Sequence, residues 1–356
     1  MRSRRWLSPL GGLILLLLAC QFPAGLEKAV DPGTVLGVSL VTIPPDASPT
    51  RTPFQPVANT PTVTATSTVT PTSTPTLTPT VTITSTPTIT NTPPPLPDVL
   101  VGAGDISICD QDGDNHTSEL LASIPGSIFT IGDNSNEHGT PQQYSDCFDY
   151  SWGRYMSRLF PVPGNHDYDS NGGASYFDYF GSRAGEYGKG YYSYDVGSWH
   201  VIAINSMIDA GDGSEQLQWL QADLGSHPSL CTLAYYHYPR WSSGAVGNMD
   251  NMASVIQVLY DFGVEVVLSA HDHIYERFAP QDPAGQLDPT SGIREFIVGT
   301  GGATHHTFGE IRANSEVRDN TSFGVLKLQL YAEGYTWEFI PIRGDTFGDY
   351  GSDFCH

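Results

Sequence analysis

The residues of this chain best suited to chemistry are carboxylates, an asparagine and histidines that follow short apolar runs. Asp105, Asp133 and Asn165 each come just after such a run. Two later runs are followed by histidines, which are His237, His271 and His273. Oxygen and imidazole groups without thiolates suit zinc, manganese or iron. The pattern therefore predicts a metal site, and a carboxylate shared between two cations favours a metal pair.

Spacing along the chain indicates how separate elements bring these groups together. Asp105, Asp133 and Asn165 follow one another at intervals of about 30 residues, the length of a βαβ unit. Ligands in open α/β folds gather where strands end. The apolar runs predict strands at residues 99–101, 127–131, 159–162, 233–236 and 264–268.

Helices and hairpins are predicted between and after these strands. Leucines spaced by three and four residues predict a helix around Leu220, and a second apolar stripe predicts a helix over residues 252–262. Two alternating segments predict antiparallel hairpins, at residues 191–204 and 323–342. The expected fold is an α/β domain with a mixed sheet or two stacked sheets, over residues 98–356.

The order of these motifs resembles that of the calcineurin-like metallophosphoesterases. The matching pieces are Gly104-Asp105, Gly132-Asp133, Gly164-Asn165-His166-Asp167, His237 and His271-Asp272-His273. The local sequences Gly132-Asp133-Asn134, His237-Tyr238-Pro239 and residues 271–277 are most similar to those of the purple acid phosphatase branch. The resemblance covers essentially all of residues 98–356, and it implies a four-layer α/β/β/α sandwich with a dimetal site at the sheet edges.

The resemblance also implies a role for each matched residue. Asp105 and His273 would bind the first metal, and Asp133 would bridge both metals. The second metal would be bound by Asn165, His237 and His271. His166 matches a position that faces the phosphate, where it would protonate the leaving group or stabilise charge on the phosphoryl oxygens.

The implied activity is hydrolysis of phosphate monoesters of small molecules, by attack of a hydroxide between the two metals. A phosphodiesterase or nucleotidase using the same site is one alternative. A surface-displayed binding module that has lost its activity is another, because two ligand positions of the family are altered.

The altered positions both belong to the first metal. The purple enzymes carry Tyr three residues after the bridging Asp, where this chain has Asn136. The wider superfamily carries His two residues after the first Asp, where this chain has Ser107. The amide oxygen of Asn136, the nearby His138 or a water are three ways to complete the coordination. Ferric iron prefers an anionic phenolate, so a divalent pair of manganese, zinc or iron is expected instead.

Residues beside the matched motifs are candidates for supporting roles. Arg240 and Trp241 are expected at the substrate mouth or in a packed loop. Tyr275-Glu276-Arg277 is expected to orient the histidine pair and to hold its loop. The glycine-rich residues 298–302 predict close strand packing, since no P-loop lysine follows them. The histidine pair at 305–306 is expected at the surface.

The N-terminus is typical of an export signal. Three arginines precede the apolar run Leu13–Leu18, which is too short to span a bilayer. The run ends in Leu17-Leu18-Ala19-Cys20, which resembles a bacterial lipobox with Cys20 as the lipidated residue. We predict a signal peptide over residues 1–19 and export to the bacterial cell envelope. The protein would be secreted, or be attached to the membrane only through this lipid; ordinary signal cleavage and an uncleaved anchor remain alternatives.

A linker is predicted over residues 20–97. Every even position from Thr60 to Thr92 is threonine, and five of the odd positions between them are proline. Strict alternation is typical of a strand, but frequent proline argues against one. We therefore predict an extended polyproline-like or disordered stalk.

Charge and cysteine content indicate which ligand class is disfavoured and which cross-links are expected. The 38 acidic against 16 basic residues give a net charge of −22, which disfavours nucleic-acid binding through phosphate neutralisation. Outside Cys20 there are four cysteines, an even number that predicts two disulfides in an exported protein. Of the three pairings, Cys109–Cys147 with Cys231–Cys355 is preferred, because Cys109 and Cys147 are expected in loops at one sheet edge.

Overall fold

A computed structural model of the protein describes residues 62–72, 80–90 and 96–356. The predicted signal peptide, Cys20 and most of the linker lie outside the described residues. Within the described ranges, no helix is both long enough and apolar enough to cross a membrane.

The threonine-rich segment departs from the sequence prediction. Strands β1 (Thr62–Thr72) and β2 (Thr80–Thr90) pair antiparallel, with Ser67 opposite Ser85. The prediction of a polyproline-like or disordered conformation is therefore wrong for these residues. Threonine is β-branched and favours extended backbone. A two-stranded ribbon consists only of edge strands, which tolerate proline where its nitrogen does not face the partner.

Six strands form the first sheet of the main domain. They are β3 (Asp98–Ala103), β4 (Ser127–Ile131), β5 (Leu159–Val162), β13 (Gly324–Tyr331), β14 (Gly334–Pro341) and β15 (Tyr350–Phe354). Their spatial order is β15-β14-β13-β3-β4-β5. The strands β3, β4 and β5 run parallel, so their carboxyl ends meet at one sheet edge.

Seven strands form the second sheet. They are β6 (Tyr192–Val196), β7 (Trp199–Ala203), β8 (Thr232–Tyr235), β9 (Val266–Ser269), β10 (Tyr275–Phe278), β11 (Arg294–Val298) and β12 (Ser315–Asp319). Their order is β12-β10-β11-β9-β8-β7-β6, with β7, β8, β9 and β11 parallel. The predicted strands and both predicted hairpins, β6–β7 and β13–β14, are confirmed.

The helices are α1 (Gly113–Ser123), α2 (Pro141–Asp146), α3 (Asn165–Asp169), α4 (Ala174–Phe180), α5 (Glu215–Ser226) and α6 (Ala253–Asp261). Both helices predicted from apolar stripes are confirmed as α5 and α6. Ser214 caps α5 by accepting the N–H of Leu217 at 3.2 Å. Gly263 follows the end of α6 with φ of 69°, the left-handed conformation that glycine adopts readily.

Alternate side chains of the second sheet belong to two hydrophobic cores. Leu233 and Tyr235 of β8 pack in a core shared with the first sheet, which includes Leu100 of β3. Ala234 of the same strand and Tyr236, which directly follows it, pack with leucines of α5 and with α6. A strand buried on both faces shows this division because successive side chains point to opposite faces. The sheets therefore stack on each other in an α/β sandwich, with α5 and α6 on the outer face of the second sheet.

Two disulfides link distant parts of the chain, and both are the predicted ones. Cys109 is bonded to Cys147 with a Cα–Cα distance of 5.2 Å, and Cys231 to Cys355 with 5.4 Å. These distances are normal for disulfides. The first bond joins the loop after β3 to the end of α2, and the second joins the start of β8 to the C-terminus.

Candidate metal centre

The predicted ligands converge where parallel strands of the two sheets end. Asp105 and Asp133 follow β3 and β4, and Asn165 opens α3 after β5. The remaining three follow β8 and β9 in the other sheet, and they are His237, His271 and His273. Asp105, Asp133 and His237 are fully or almost fully buried. Stacking of the sheets thus brings together groups that are more than 160 residues apart.

Backbone conformation at this site is unusual. Asp105, Asp133 and His271 have φ angles of 55°, 47° and 70°, in the left-handed region that non-glycine residues rarely adopt. Only two other non-glycine residues among those described have positive φ. Such strain is characteristic of functional sites, where the surrounding structure must hold it.

Glycines allow the ligand loops to approach one another. A Cβ atom on Gly164 would lie 2.2 Å from Oδ1 of Asp133. One on Gly132, whose φ is 78°, would lie 2.6 Å from Nδ1 of His237. Any larger residue at either position would displace a candidate ligand.

One half of the centre is formed around Asp133. Its Oδ2 atom lies 3.3 Å from Nε2 of His237, and the same nitrogen lies 3.1 Å from Oδ1 of Asn165. Ligand atoms of Asp133, His237 and His271 all lie within 4.8 Å of one another. This is the group that the resemblance assigns to the second metal.

The other half is formed around Asp105. Its Oδ1 atom lies 3.6 Å from Nε2 of His273, and its Oδ2 atom accepts the backbone N–H of His271 at 2.9 Å. The side-chain amide of Asn136 lies 3.4 Å from the same His273 nitrogen. Asn136 is therefore placed beside the first-metal group. Ser107 and His138 are not placed beside the first-metal group. The Ser107 hydroxyl donates to the carbonyl of Asn134, and His138 is exposed near Asp169.

The donor atoms of both halves fit metal ions. Nδ1 of His237 lies 2.8 Å from the carbonyl of Ile131, and Nδ1 of His273 lies 2.7 Å from that of Thr304. Because a carbonyl only accepts, each Nδ1 carries a proton and each neutral ring presents a lone pair at Nε2. Those lone pairs face Oδ2 of Asp133 and Oδ1 of Asp105, two buried oxygens with no hydrogen-bond partner. Two facing acceptors need a positive charge between them, which either a metal ion or a proton on Nε2 supplies.

Burial and the neighbouring charges shift the pKa values of these groups. Burial lowers the pKa of His237, but the carboxylates of Asp133 and Asp105 outweigh it and raise the pKa to about 9. Burial raises the pKa of Asp133, but His237 and His166 reverse this and lower the pKa to about 2. The field at this point thus favours a positive charge. Burial and the charge of His237 lower the pKa of His271 to about 3, which keeps its ring neutral.

His166 lies at the open side of the centre. Its backbone N–H donates to Oδ1 of Asp133 at 2.8 Å, and its ring Nδ1 donates to the carbonyl of Glu137 at 2.8 Å. Its Nε2 atom is 3.9 Å from Oδ2 of Asp133, and one third of the side chain is exposed. A ring held in this way can present Nε2 to a substrate that enters from solvent.

Two aspartates that sequence reasoning left unassigned hold the ligand loops. Asp167 accepts the backbone N–H groups of Asn134, Ser135 and Gly164, which ties the loop after β4 to the loop after β5. Asp272 accepts the Ser242 hydroxyl and the N–H groups of residues 246 and 247. Both lie inside the motifs given above, close to a candidate ligand. This position in the sequence could have predicted their role.

The structure shows one of the two roles predicted for the segment Tyr275-Glu276-Arg277. Glu276 accepts the backbone N–H of Ser243 at 2.8 Å and so holds the neighbouring loop. Tyr275 and Arg277 instead bond to Asp349 near the C-terminus. Nδ1 of His273 faces the main-chain carbonyl of Thr304 at 2.7 Å, and orientation of the pair His271 and His273 by this segment stays a prediction.

Arg240 and Trp241 belong to a packed loop, which was one of the two alternatives. Their backbone N–H groups donate to the buried carboxylate of Glu295 at 3.1 and 3.2 Å. The guanidinium of Arg240 pairs with Asp250 at 2.8 Å. Glycines at 298–302 provide the close packing that was predicted, since Gly301 donates to the carbonyl of Gly104.

The histidine pair at 305–306 was expected at the surface, and both side chains are half-buried. His306 stacks on the ring of His273 with a centroid distance of 3.9 Å, and its Nδ1 lies 3.4 Å from Asp272. His305 stacks on Phe323. An irregular loop carries both residues, and adjacent side chains in such a loop are not bound to one face.

A second His-Asp-His cluster has no such unsatisfied atoms. His200 lies 2.8 Å from Asp223 and 3.1 Å from Asp195 through its two ring nitrogens. Asp223 also accepts the Ser193 hydroxyl, and His227 lies 3.3 Å from the same carboxylate. Each ring nitrogen of His200 faces a carboxylate, so this cluster is an internal ion-pair network.

Comparison with known proteins agrees with this fold and site. The family model described as calcineurin-like phosphoesterase matches residues 93–275. The chain belongs to this family. The match includes the ends of β3, β4, β5, β8 and β9, and therefore all six candidate ligands.

The individual relatives are purple acid phosphatases and related enzymes. Purple acid phosphatase 15 of Arabidopsis thaliana is 26% identical over 247 residues, which are 59% of this chain and 46% of that protein. Acid phosphatase A of Cryphonectria parasitica is 31% identical over 184 residues, which are 44% of this chain and 34% of that protein. The chain thus spans less than half the length of these relatives.

Two solved structures share the fold. The purple acid phosphatase from yellow lupin (Lupinus luteus) seeds superposes with a TM-score of 0.60 at 19% identity, covering 72% of this chain and 53% of that one. GAP50, the anchor in the inner membrane complex of Plasmodium, gives 0.55 at 14% identity, covering 72% and 88%. Identities this low establish the fold alone.

Proposed function

We propose that this protein hydrolyses phosphate monoesters at a dinuclear metal centre formed by Asp105, Asp133, Asn165, His237, His271 and His273. One observation supports this most strongly. Two buried carboxylate oxygens without partners face the Nε2 lone pairs of two histidines whose Nδ1 protons are already donated. Family membership and the purple acid phosphatase relatives support the type of reaction.

The residues divide into two binding groups joined by Asp133. Asp105, His273 and Asn136 would hold the first metal, and Asn165, His237 and His271 the second. When bound, the metals would polarise the phosphoryl oxygens and make a water more acidic. Oxygen and imidazole donors with no phenolate favour divalent manganese, zinc or iron over ferric iron.

His166 is proposed to act on the leaving group. Its Nδ1–H is fixed by the Glu137 carbonyl, so Nε2 is the nitrogen available to the substrate. A protonated Nε2 would donate to the departing alkoxide or to a phosphoryl oxygen. The carboxylates of Asp133 and Asp169 lie 3.9 and 3.5 Å from the two ring nitrogens.

Export and attachment through Cys20 belong to the same proposal. Two disulfides within the described domain suit an oxidising compartment. The lipobox-like segment would place the enzyme at the cell envelope, where it would act on phosphorylated small molecules outside the cytoplasm.

The decisive experiment replaces the shared carboxylate. Asp133→Asn keeps the shape of the side chain but removes the charge that both groups use. We expect the variant to lose about 100- to 1,000-fold in kcat/KM for p-nitrophenyl phosphate, the order found when a group that stabilises transition-state charge is removed. It should also bind fewer than two metals per chain when measured by elemental analysis.

Controls separate this proposal from its alternatives. Asp112→Asn, at an exposed position before α1, should leave turnover and metal content unchanged. Activity should disappear on chelation and return with manganese, zinc or ferrous iron. A greater rate on bis-p-nitrophenyl phosphate would identify a diesterase. A folded protein that binds metal but hydrolyses neither ester would contradict catalysis and support a binding module.

A further inference from the structure

A cavity lies beside the candidate metal centre, against Tyr238. Its volume is 410 Å³, and its lining includes Ser206, Met207, Asp209 and Asn251. The ring of Tyr238 also contacts the metal-site side, where its centroid is 4.6 Å from that of His271. One aromatic residue therefore separates a candidate metal ligand from a space of the size that small ligands occupy.

The charge of this cavity is negative. Asp209 is its only charged lining residue, and the described salt bridges include none to Asp209. Basic residues of the neighbouring chain segments are already paired with carboxylates. Lys189 lies 3.0 Å from Glu186 and 2.7 Å from Glu215, and Arg240 lies 2.8 Å from Asp250.

A second cavity continues from the first. It has a volume of 310 Å³ and shares Ile208 and Asp209 with the first cavity. Its charged lining residues are Lys189, Asp209 and Glu215. Because Lys189 is paired, the two cavities together form an acidic groove that leads away from the metal centre.

We propose that this groove binds the alcohol part of the substrate and that it selects alcohols bearing an ammonium group. Asp209 is exposed, its Oδ1 accepts the backbone N–H of Gly211 at 3.0 Å, and it lines the same cavity as Tyr238. A carboxylate without an ion pair and an aromatic ring in one cavity attract ammonium ions through charge and through the ring face. An alcohol with a further phosphate or carboxylate would be repelled by Asp209. This proposal rests on the proposed phosphomonoesterase function, and it adds the substrate class.

Three esters test the selection with the metal-loaded full chain. Phosphocholine carries the ammonium group, and 3,3-dimethylbutyl phosphate has the same shape without the charge. 3-Phosphoglycerate carries an anionic alcohol. We expect kcat/KM for phosphocholine to exceed that of its neutral isostere by about fivefold, the range of an exposed charge pair with an aromatic contact. The anionic ester should be the slowest of the three.

Asp209→Asn should reduce the fivefold preference to about twofold, because only the contact with the aromatic ring remains. Asp212→Asn removes an exposed carboxylate three residues away that lines neither cavity, and it should leave the preference intact. A preference that is unchanged in Asp209→Asn, or equal rates on the two isosteric esters, would overturn the proposal.

Binding of choline alone provides a readout independent of catalysis. Calorimetric titration should detect choline binding to the unmodified protein and weaker binding to Asp209→Asn. Absence of turnover on p-nitrophenyl phosphate would contradict the phosphomonoesterase function. Normal turnover of that ester without choline binding would contradict only the ammonium selection.

Discussion

At the scale of single residues, the site is defined by which nitrogen of each histidine is already used. His237 and His273 both donate Nδ1–H to main-chain carbonyls, those of Ile131 and Thr304. This fixes the ring orientation and leaves Nε2 for a metal, as main-chain carbonyls commonly do behind metal ligands. The ligand geometry therefore depends on backbone positions more than on neighbouring side chains.

Asn136 is the residue at which this chain differs most informatively from the purple enzymes. It lies beside His273 but brings a neutral amide where they carry a phenolate. We predict that Asn136→Tyr, loaded with ferric iron, gains a visible absorption band that the unmodified protein lacks. The reason is that a phenolate is a hard anionic donor and transfers charge to ferric iron.

The matched control for this change is Asn136→Phe. It has the same ring without the oxygen and should show no band. A visible band in iron-loaded unmodified protein would show that another residue supplies the anionic donor. A tyrosine variant that binds ferric iron without the band would show that position 136 does not reach the metal.

At the scale of elements, buried acidic groups attach loops to strands and helices. Asp167 and Asp272 do this at the metal centre, and Glu295 does it for the loop that follows His237. Carboxylates accept several N–H groups at once, so one side chain can hold a whole turn. His200 and Asp223 play the same part between β7 and α5.

The His200–Asp223 pair predicts a defined pH dependence of stability. Burial lowers the pKa of His200, but bonds to Asp223 and Asp195 outweigh it and leave the pKa raised. Burial raises the pKa of Asp223, but His200 and Ser193 reverse this and leave the pKa lowered. The histidine contribution is complete below its unfolded pKa of about 6.5, and the aspartate contribution above about 3.9. Both are present between these values.

We therefore expect His200→Gln to lower the free energy of unfolding by about 1.5–3 kcal/mol at pH 5.5, the range for hydrogen bonds to charged groups. The loss should be smaller at pH 9, because the contribution of the charged histidine is lost as the pH rises through its raised pKa. Denaturant unfolding at both pH values measures this. His116→Gln, at an exposed position on α1, is the control and should show little loss at either pH. Equal losses for His200→Gln at both pH values would contradict a charged pair.

At the scale of the whole molecule, the two sheets are held by a common core and by covalent links. Cys231–Cys355 closes a segment of 124 residues and Cys109–Cys147 one of 38. Cross-links constrain the unfolded chain more when the closed segment is longer. The longer link, which secures β15 and the C-terminus, should matter more for stability.

Removing the longer disulfide with Cys231→Ala and Cys355→Ala should lower the free energy of unfolding by about 3–4 kcal/mol. Removing the shorter one in the same way should cost about 1 kcal/mol less, from the ratio of the loop lengths. Urea unfolding of the two double variants gives the comparison. A larger loss from the shorter link would show that local packing, and not chain entropy, determines its contribution.

Local features of the sequence determined the ligand types and the strands that carry them, and they favoured the disulfide pairing that the structure has. Each candidate ligand follows an apolar run, and short apolar runs bounded by turn residues are consistent with buried strands. The threonine tract shows the limit of such rules, because alternation and proline gave opposite predictions there. The pairing of β1 with β2 settles which effect prevails.

Only the tertiary structure decided what the ligands and their neighbours contact. The stacking of His306 on His273, the bond of Tyr275 to Asp349 and the cavity beside Tyr238 all join segments far apart in sequence. Such contacts depend on how two sheets pack and how irregular loops turn. No local periodicity encodes either, since a loop residue has no face fixed by a repeat. The sequence therefore predicted the ligand residues, and only the packing of the tertiary structure decided what surrounds them.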